Sequence, residues 1–195
     1  MKKIDGYIPL EKLDIVCNSI EAAHGLPNEC YLGGEYSKLE RKYLFEDKWV
    51  VIGVASSIKK PGDAVPFNLL GIPLIILRDK DQSIRVFHNV CSHRGYKILQ
   101  KPCRIKNALR CPYHSWAYDL NGKLVSTPHL GGMDKNEAEG FNKSDSNLHE
   151  VRSYIWLDMI FVNISNNQIP FDKYIKPLED RWSQFWPKED QSLIK

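Results

Sequence analysis

Two short arms of the sequence combine residue types that bind transition metals. The first arm is Cys91-Ser-His93 and the second is Cys111-Pro-Tyr-His114, and 17 residues separate them. Each arm supplies one thiolate and one imidazole. A known class of 2Fe–2S cluster uses two Cys on one iron and two His on the other, which raises its reduction potential above that of an all-Cys cluster. The arms therefore favour a centre that carries one electron at a time.

Zinc is the alternative metal for two Cys and two His. Structural zinc sites usually pair Cys with Cys and His with His at short spacing. Here each arm mixes the two types, and only one residue separates Cys91 from His93. The spacing thus favours the 2Fe–2S cluster over a zinc-binding interaction module, and both over the absence of a metal.

Longer segments around the arms carry a family resemblance. They are Phe-His-Asn-Val-Cys-Ser-His-Arg-Gly at 87–95 and Arg-Cys-Pro-Tyr-His-Ser-Trp-Ala-Tyr-Asp at 110–119. These segments resemble the Rieske domain of ring-hydroxylating oxygenase large (alpha) subunits. That family includes aromatic-ring dioxygenases and the choline, carnitine and glycine-betaine monooxygenases. Further segments that fit bring the resemblance to roughly residues 27–180.

The resemblance implies where a cofactor is held. One Rieske 2Fe–2S cluster is expected, with four ligands: Cys91, His93, Cys111 and His114. Four neighbours are expected to surround the cluster: Arg94, Gly95, Tyr113 and Trp116. One departure is Ser115, where the family most often has Gly, so a positive φ there would strain the serine mildly. Rieske clusters of respiratory complexes also carry a disulfide between the ligand loops, and Tyr113 stands at the matching position here.

The pattern of the chain is mostly β with helical termini. From Trp49 onward, runs rich in Val, Ile, Phe and Tyr alternate with turn signals such as Asn121-Gly122. Strands are predicted near 48–55, 66–70, 73–78, 84–88, 107–111, 115–118, 123–126, 151–157 and 159–164. Such short strands indicate an antiparallel β barrel or sandwich, and the resemblance implies that this is a Rieske-type domain over 47–165. Two loops at one end of it would hold the cluster.

Both termini show helical patterns. Residues 1–46 are expected to form an N-terminal helical segment, with helices over 10–23 and roughly 36–46, the second capped by Ser37. Residues 166–195 form an amphipathic segment whose apolar stripe runs from Phe171 to Trp186. Pro177 is expected to break that helix or to start its second piece. The stripe either packs on the β domain or meets a surface that lies outside it.

Composition excludes several function classes. The 27 Lys and Arg against 24 Asp and Glu give a net charge of +3, too weak for nucleic-acid binding. No apolar run approaches the length of a membrane span or a signal peptide. Because two of five cysteines are assigned to iron, we expect no disulfide framework and a cytoplasmic location. Cys17, Cys30 and Cys103 are interpreted as buried apolar thiols.

The resemblance also defines the expected function. In the family, a second domain holds one non-haem iron with two His and one carboxylate. No such mononuclear iron is expected here, because the remaining histidines are scattered: His24, His88, His129 and His149.

The chain would then be the electron-input domain of a Rieske non-haem iron oxygenase. It would take electrons from a reductase or ferredoxin and pass them to a catalytic iron domain, usually in a neighbouring subunit of a homo-trimer. Alone, it is not expected to hydroxylate a substrate. The alternative is a stand-alone Rieske ferredoxin, although the chain has about 45 leading and 30 trailing residues that such a carrier does not require.

Overall fold

A computed structural model describes residue 8, residues 10–183 and residue 185. The chain divides between Glu46 and Asp47 into two compact units. The first unit contains three short helices: α1 (Leu10–Asp14), α2 (Asn28–Leu32) and α3 (Gly34–Glu40). A 3-10 turn at Ile15–Cys17 follows α1, and a π-helical turn at Arg41–Glu46 follows α3.

The first unit corrects two predictions about its helices. The helix predicted over 10–23 ends much earlier, and Ile20 is 87% exposed. A helix this short gains little without a surface to bury its apolar side chains. Ser37 does not cap α3, because Gly33 occupies the N-cap and the Ser37 hydroxyl instead donates to the Gly33 carbonyl at 3.5 Å. The second predicted helix is confirmed in position.

The described part of the second unit contains ten strands. They are β1 (Val50–Val54), β2 (Asp63–Leu69), β3 (Ile72–Arg78), β4 (Ile84–His88), β5 (Cys103–Arg104), β6 (Leu109–Arg110), β7 (Ala117–Tyr118), β8 (Leu124–Ser126), β9 (Glu150–Trp156) and β10 (Met159–Asn163). All pairings are antiparallel. The mostly β prediction is confirmed. The two-residue strand β5 was not predicted.

The strands form two sheets around a common core. The larger sheet has seven strands in the order β1-β10-β9-β4-β3-β2-β5, and the smaller has the order β6-β7-β8. Side chains of both sheets, among them Ile75, Phe87, Leu109 and Tyr118, share one buried cluster. Gly122 fits the β7–β8 turn with a φ of 77° against the Phe87 ring, where a side chain would collide. This core is the platform on which the two arms stand.

A longer helix, α4 (Phe171–Trp182), covers part of the larger sheet. Phe171 and Ile175 are buried in a cluster with Trp49 and Phe161, so the first part of the apolar stripe packs back on the β domain, whereas Phe185 is 74% exposed. Pro177 lies inside this continuous helix, contrary to the predicted break. The packing of the apolar face offsets the one backbone hydrogen bond that a proline removes. Trp186 lies outside the described residues.

Three cysteines stand outside the arms. Cys30 is buried as predicted, whereas Cys17 and Cys103 are exposed and the prediction for them was wrong. Cys103 lies on the edge strand β5, which pairs on one side only, so no neighbouring strand covers it. Among the described residues, no helix is long and apolar enough to cross a membrane.

Candidate functional site

Two loops with the same backbone pattern carry the two arms. In the first loop (residues 91–96), the Cys91 amide donates to the Tyr96 carbonyl at 2.9 Å, and the Gly95 amide donates to the Cys91 carbonyl at 2.9 Å. In the second loop (residues 111–116), the corresponding bonds are Cys111 to Trp116 at 2.8 Å and Ser115 to Cys111 at 3.0 Å. Each loop therefore closes on its own cysteine.

The fifth residue of each loop has a left-handed backbone. Gly95 has a φ of 69° and Ser115 a φ of 60°. Glycine adopts this region freely, whereas serine is strained there, as anticipated. The guanidinium of Arg110 supports the strained loop by donating to the Ser115 carbonyl at 3.0 Å.

The two thiols lie together in the core. Cys91 is 2% exposed and Cys111 is 1% exposed, and both belong to the buried cluster between the sheets. Burial raises the pKa of the Cys111 thiol, and the nearby Cys91 adds to the rise. The backbone amides of Tyr113 and His114 act in the opposite direction, because their N–H groups face the Cys111 sulfur. Those amides are positioned to stabilise a thiolate.

The two histidines lie edge to face outside the thiols. The ring centroids of His93 and His114 are 4.8 Å apart. His93 also stacks on Trp116 of the other loop, with centroids 4.6 Å apart and planes 11° from parallel. Burial, followed by the charges of His114 and Arg94, lowers the pKa of His93, so the neutral ring that binds metals is favoured.

Tyrosine rings join the two loops as well. Tyr113 lies against His114 with ring centroids 3.7 Å apart, and on its other side it meets Tyr96 of the first loop at 5.4 Å. All five cysteines are free, so no disulfide ties the loops. In this chain, contacts between aromatic rings join the two loops instead.

Tyr118 is a site residue that sequence reasoning missed. Its side chain is fully buried, and its hydroxyl lies 3.3 Å from the Cys91 sulfur. The same hydroxyl accepts from the Ser92 amide at 3.1 Å. Burial raises the pKa of Tyr118 far above its ordinary value, so the phenol keeps its proton and can donate it toward sulfur. The alternation of the β7 strand was the only available signal, and it is two residues long.

Two asparagines fix the first loop to its surroundings. The buried Asn89 side chain donates to the Leu99 carbonyl at 2.6 Å and accepts from the Leu99 amide at 2.8 Å. Asn147 accepts from the Ser92 hydroxyl at 3.1 Å through its carbonyl, and its side chain accepts from the Leu124 amide at 2.9 Å. The loop is thus held on both sides before any ligand is considered.

The histidines open onto a groove of about 670 Å³. Its walls include Trp116, Ser115 and the segment from Pro128 to Leu130. His129 lines the groove too, but its Nδ1 accepts from the Asp134 amide at 3.1 Å. The groove gives an external partner access to the edge of the His pair.

The four arm residues fit a two-iron cluster. The Nδ1 atom of His114 is buried and has no hydrogen-bond partner within the described part of the chain, so its lone pair is available to a metal. Across the described residues, no three His, Cys, Asp or Glu side chains converge on one metal position. In a Rieske cluster each iron has only two protein ligands. Here the two thiols form one pair and the two imidazoles form an adjacent pair.

Comparison with known proteins gives the same assignment for this part of the chain. Residues 48–144 match the family model described as a Rieske [2Fe-2S] domain. The matched range contains both loops, the groove and strands β2–β8, which belong to the two sheets.

Relatives extend the similarity beyond that range. The chain is 26% identical over 176 residues to the carnitine monooxygenase oxygenase subunit of Acinetobacter pittii (strain PHEA-2), which covers 90% of this chain and 46% of that protein. It is 33% identical over 158 residues to the benzene 1,2-dioxygenase subunit alpha of Pseudomonas putida, covering 80% of this chain and 34% of that protein.

A solved structure shows the same fold. It is a quaternary ammonium Rieske monooxygenase described in terms of carnitine oxidation and inter-subunit electron transfer, with a TM-score of 0.71 and 26% identity. The superposition covers 83% of this chain and 43% of that one. This chain therefore spans less than half the length of these relatives.

Proposed function

We propose that this chain is the electron-input domain of a Rieske non-haem iron oxygenase, starting from the match of residues 48–144 to the Rieske [2Fe-2S] domain. Its four cluster ligands are Cys91, His93, Cys111 and His114. One observation carries the proposal: two buried thiols and two adjacent imidazoles meet at the tips of two matching loops. A cluster bound there takes up and releases one electron at a time.

The residues of the site prepare each ligand. Burial raises the pKa of the Cys111 thiol, so cluster binding there releases a proton, and the amides of Tyr113 and His114 offset part of that cost. Trp116 holds the plane of His93, and Tyr118 directs its hydroxyl at the Cys91 sulfur. Because the core shields the thiols while the imidazoles border the groove, electrons enter and leave on the histidine side.

The partners follow from the relatives. A reductase or ferredoxin would supply the electron, and a catalytic iron domain, in the same or a neighbouring subunit, would receive it. Inter-subunit electron transfer in the quaternary ammonium monooxygenase supports a homo-oligomer, and the family resemblance implies a trimer. Similarity over 80–90% of this chain, well beyond the Rieske domain itself, favours this function over a stand-alone ferredoxin.

Metal analysis tests the ligand assignment. Anaerobically purified protein should contain about two irons and about two acid-labile sulfides per chain. Cys111→Ala should lose both, whereas Cys103→Ala, a matched change at an exposed thiol, should keep them. One zinc without sulfide would overturn the redox function and leave a structural metal module.

Partner analysis tests the oxygenase assignment. Affinity purification from the cells that make the chain should recover a protein with mononuclear iron, or a form of the chain that includes one. A chain that purifies alone and carries electrons from a reductase to several unrelated acceptors would instead be a stand-alone ferredoxin.

A further inference from the structure

Six aromatic rings form a continuous series through the site, with neighbouring ring centroids between 3.7 Å and 5.7 Å apart. In order they are Phe141, Trp116, His93, His114, Tyr113 and Tyr96. Five of the six belong to the two loops. The sixth, Phe141, comes from a separate segment and occupies the end of the series next to Trp116.

Trp116 connects Phe141 to one of the two histidines. The Phe141 and Trp116 rings meet edge to face, with centroids 5.7 Å apart and planes at 71°. The same indole stacks on His93, with planes only 11° from parallel. Edge-to-face and stacked arrangements are the favourable geometries of aromatic pairs. The indole is therefore fixed by one ring while it orients another.

The segment that carries Phe141 closes on itself. It comprises residues 127–147, between β8 and the approach to β9, and we call it the wall loop because Pro128 to Leu130 line the groove. The fully buried Thr127 donates its hydroxyl to the Asn136 carbonyl at 2.5 Å. This hydrogen bond joins two distant parts of the wall loop. The segment that borders the groove thus also supports the ring series.

Local hydrogen bonds set the position of Phe141 within the wall loop. Its amide donates to the Ala138 carbonyl at 3.2 Å. The next residue, Asn142, caps the 3-10 turn at Lys143–Ser146, and its side chain accepts from the Ser144 amide at 3.2 Å. The half-buried Phe141 ring packs against the buried cluster between the sheets. Both the backbone and the core therefore hold this ring in place.

A half-buried phenylalanine does not need a ring neighbour in this fold. Phe67 of β2 is also half-buried, yet no aromatic ring of the described residues contacts it. Its role is that of apolar packing. Phe141 differs because its contact continues through Trp116 to a residue of the proposed cluster site.

We propose that Phe141 is a positioning residue for His93 and acts through Trp116. The inference rests on the proposed function, which makes His93 an iron ligand. The Phe141 ring restricts the tilt of the indole, and the indole restricts the rotation of the imidazole stacked on it. Groups that orient a metal ligand in this way change the affinity and the redox properties of the metal site.

Electron paramagnetic resonance of the cluster-loaded chain, reduced with dithionite, tests the inference. The g-values and the midpoint potential both depend on how the histidine ligands are oriented. Phe141→Leu keeps an apolar side chain but removes the ring, so it should shift both quantities. An excess of iron chelator should also remove iron about fivefold faster, because an aromatic pair contributes binding energy beyond the area it buries.

Phe67→Leu is the matched control, because it makes the same change at a half-buried ring outside the series. It should keep the native g-values and potential. Phe141→Tyr retains the ring and should keep them too. Native g-values, potential and iron release in Phe141→Leu would overturn the inference, and so would equal changes in Phe67→Leu, since they would indicate a general loosening of the core.

Two further outcomes separate folding and function from positioning. If Phe141→Leu cannot be loaded with iron, Phe141→Tyr decides: a native signal in it supports the positioning role, and loss of the cluster in it overturns that role. If the unmodified chain itself lacks about two irons and about two sulfides, the proposed function has failed instead.

Discussion

The first and second loops have nearly the same backbone but different side-chain support. Each closes on its cysteine through two matching hydrogen bonds and a left-handed fifth residue. The first loop places its histidine two residues after the cysteine and has glycine at the strained position. The second places its histidine three residues after and has serine there. The comparison shows that the loop backbone fixes the positions of the two thiols, whereas neighbouring side chains determine the orientation of each imidazole ring.

Support also runs from one loop to the other rather than within a loop. Trp116 of the second loop stacks on His93 of the first, and Tyr118, two residues later, reaches the Cys91 sulfur of the first. In return, the first loop places the Tyr96 ring against Tyr113 and the His93 ring against His114. The second loop therefore organises the first more than the reverse.

Trp116→Ala should have the largest effect on this asymmetry. Trp116 is 4% exposed, and truncation of a buried tryptophan costs about 3–5 kcal/mol. Thermal or denaturant unfolding should show that loss, and the protein should also bind less iron because His93 loses its stacking partner. Trp116→Phe serves as the control and should retain most of both. Full iron content in Trp116→Ala would show that the stacking is dispensable for the cluster.

Substitutions at the left-handed fifth residue should change the free energy of unfolding in opposite directions in the two loops. Gly95→Ala forces alanine into the left-handed region, in open space, and should cost about 1–2 kcal/mol in the free energy of unfolding. Ser115→Gly relieves the same strain but frees the unfolded chain, so it should stabilise by about 0.5 kcal/mol. If denaturant titrations showed that both variants change the free energy of unfolding in the same direction, the two loops would not share one backbone requirement.

Tyr118→Phe should distinguish the two thiols. It removes the hydroxyl near the Cys91 sulfur and leaves the ring, so stability should fall by about 1 kcal/mol. The lost hydrogen bond should also lower the midpoint potential by roughly 40 mV, which is the same energy for one electron. Protein-film voltammetry measures this shift, and an unchanged potential would remove Tyr118 from the electronic description of the site.

The smallest expected effect concerns acid stability near the first loop. Burial and the neighbouring His149 lower the pKa of His88, at the end of β4. The unfolded chain then binds a proton first, so stability should decline as the pH falls from about 6.5 through the lower folded-state pKa. His88→Gln should flatten this part of the pH profile of unfolding. A profile that keeps its slope in the variant would assign it to other groups.

The sequence was sufficient to locate the two arms and most strands, because both depend on local patterns. Residues adjacent in the sequence encode the ligand types and spacing of the arms, the turn at Asn121-Gly122 and the run of short strands. Ser115 has the positive φ whose strain was considered because the family most often has Gly at that position. The assignment of the four ligands remains a prediction that metal analysis tests.

What the sequence did not reveal depends on contacts between distant residues. The hydrogen bonds of Tyr118 join it to residues 26 and 27 positions away, and no local pattern encodes them. Helix α4 continues through Pro177 because of the surface it packs on, and the exposure of Cys103 follows from its place on an edge strand.

The stacking of His93 on Trp116 has a consequence for transplantation of the site. A single loop moved into another β scaffold would bring its cysteine and its turn, but not the ring that orients its histidine. The smallest portable unit is instead the stretch from Asn89 to Tyr118, with both loops and the segment that Asn89 pins at Leu99. The two loops would therefore have to be transferred together, as one continuous segment.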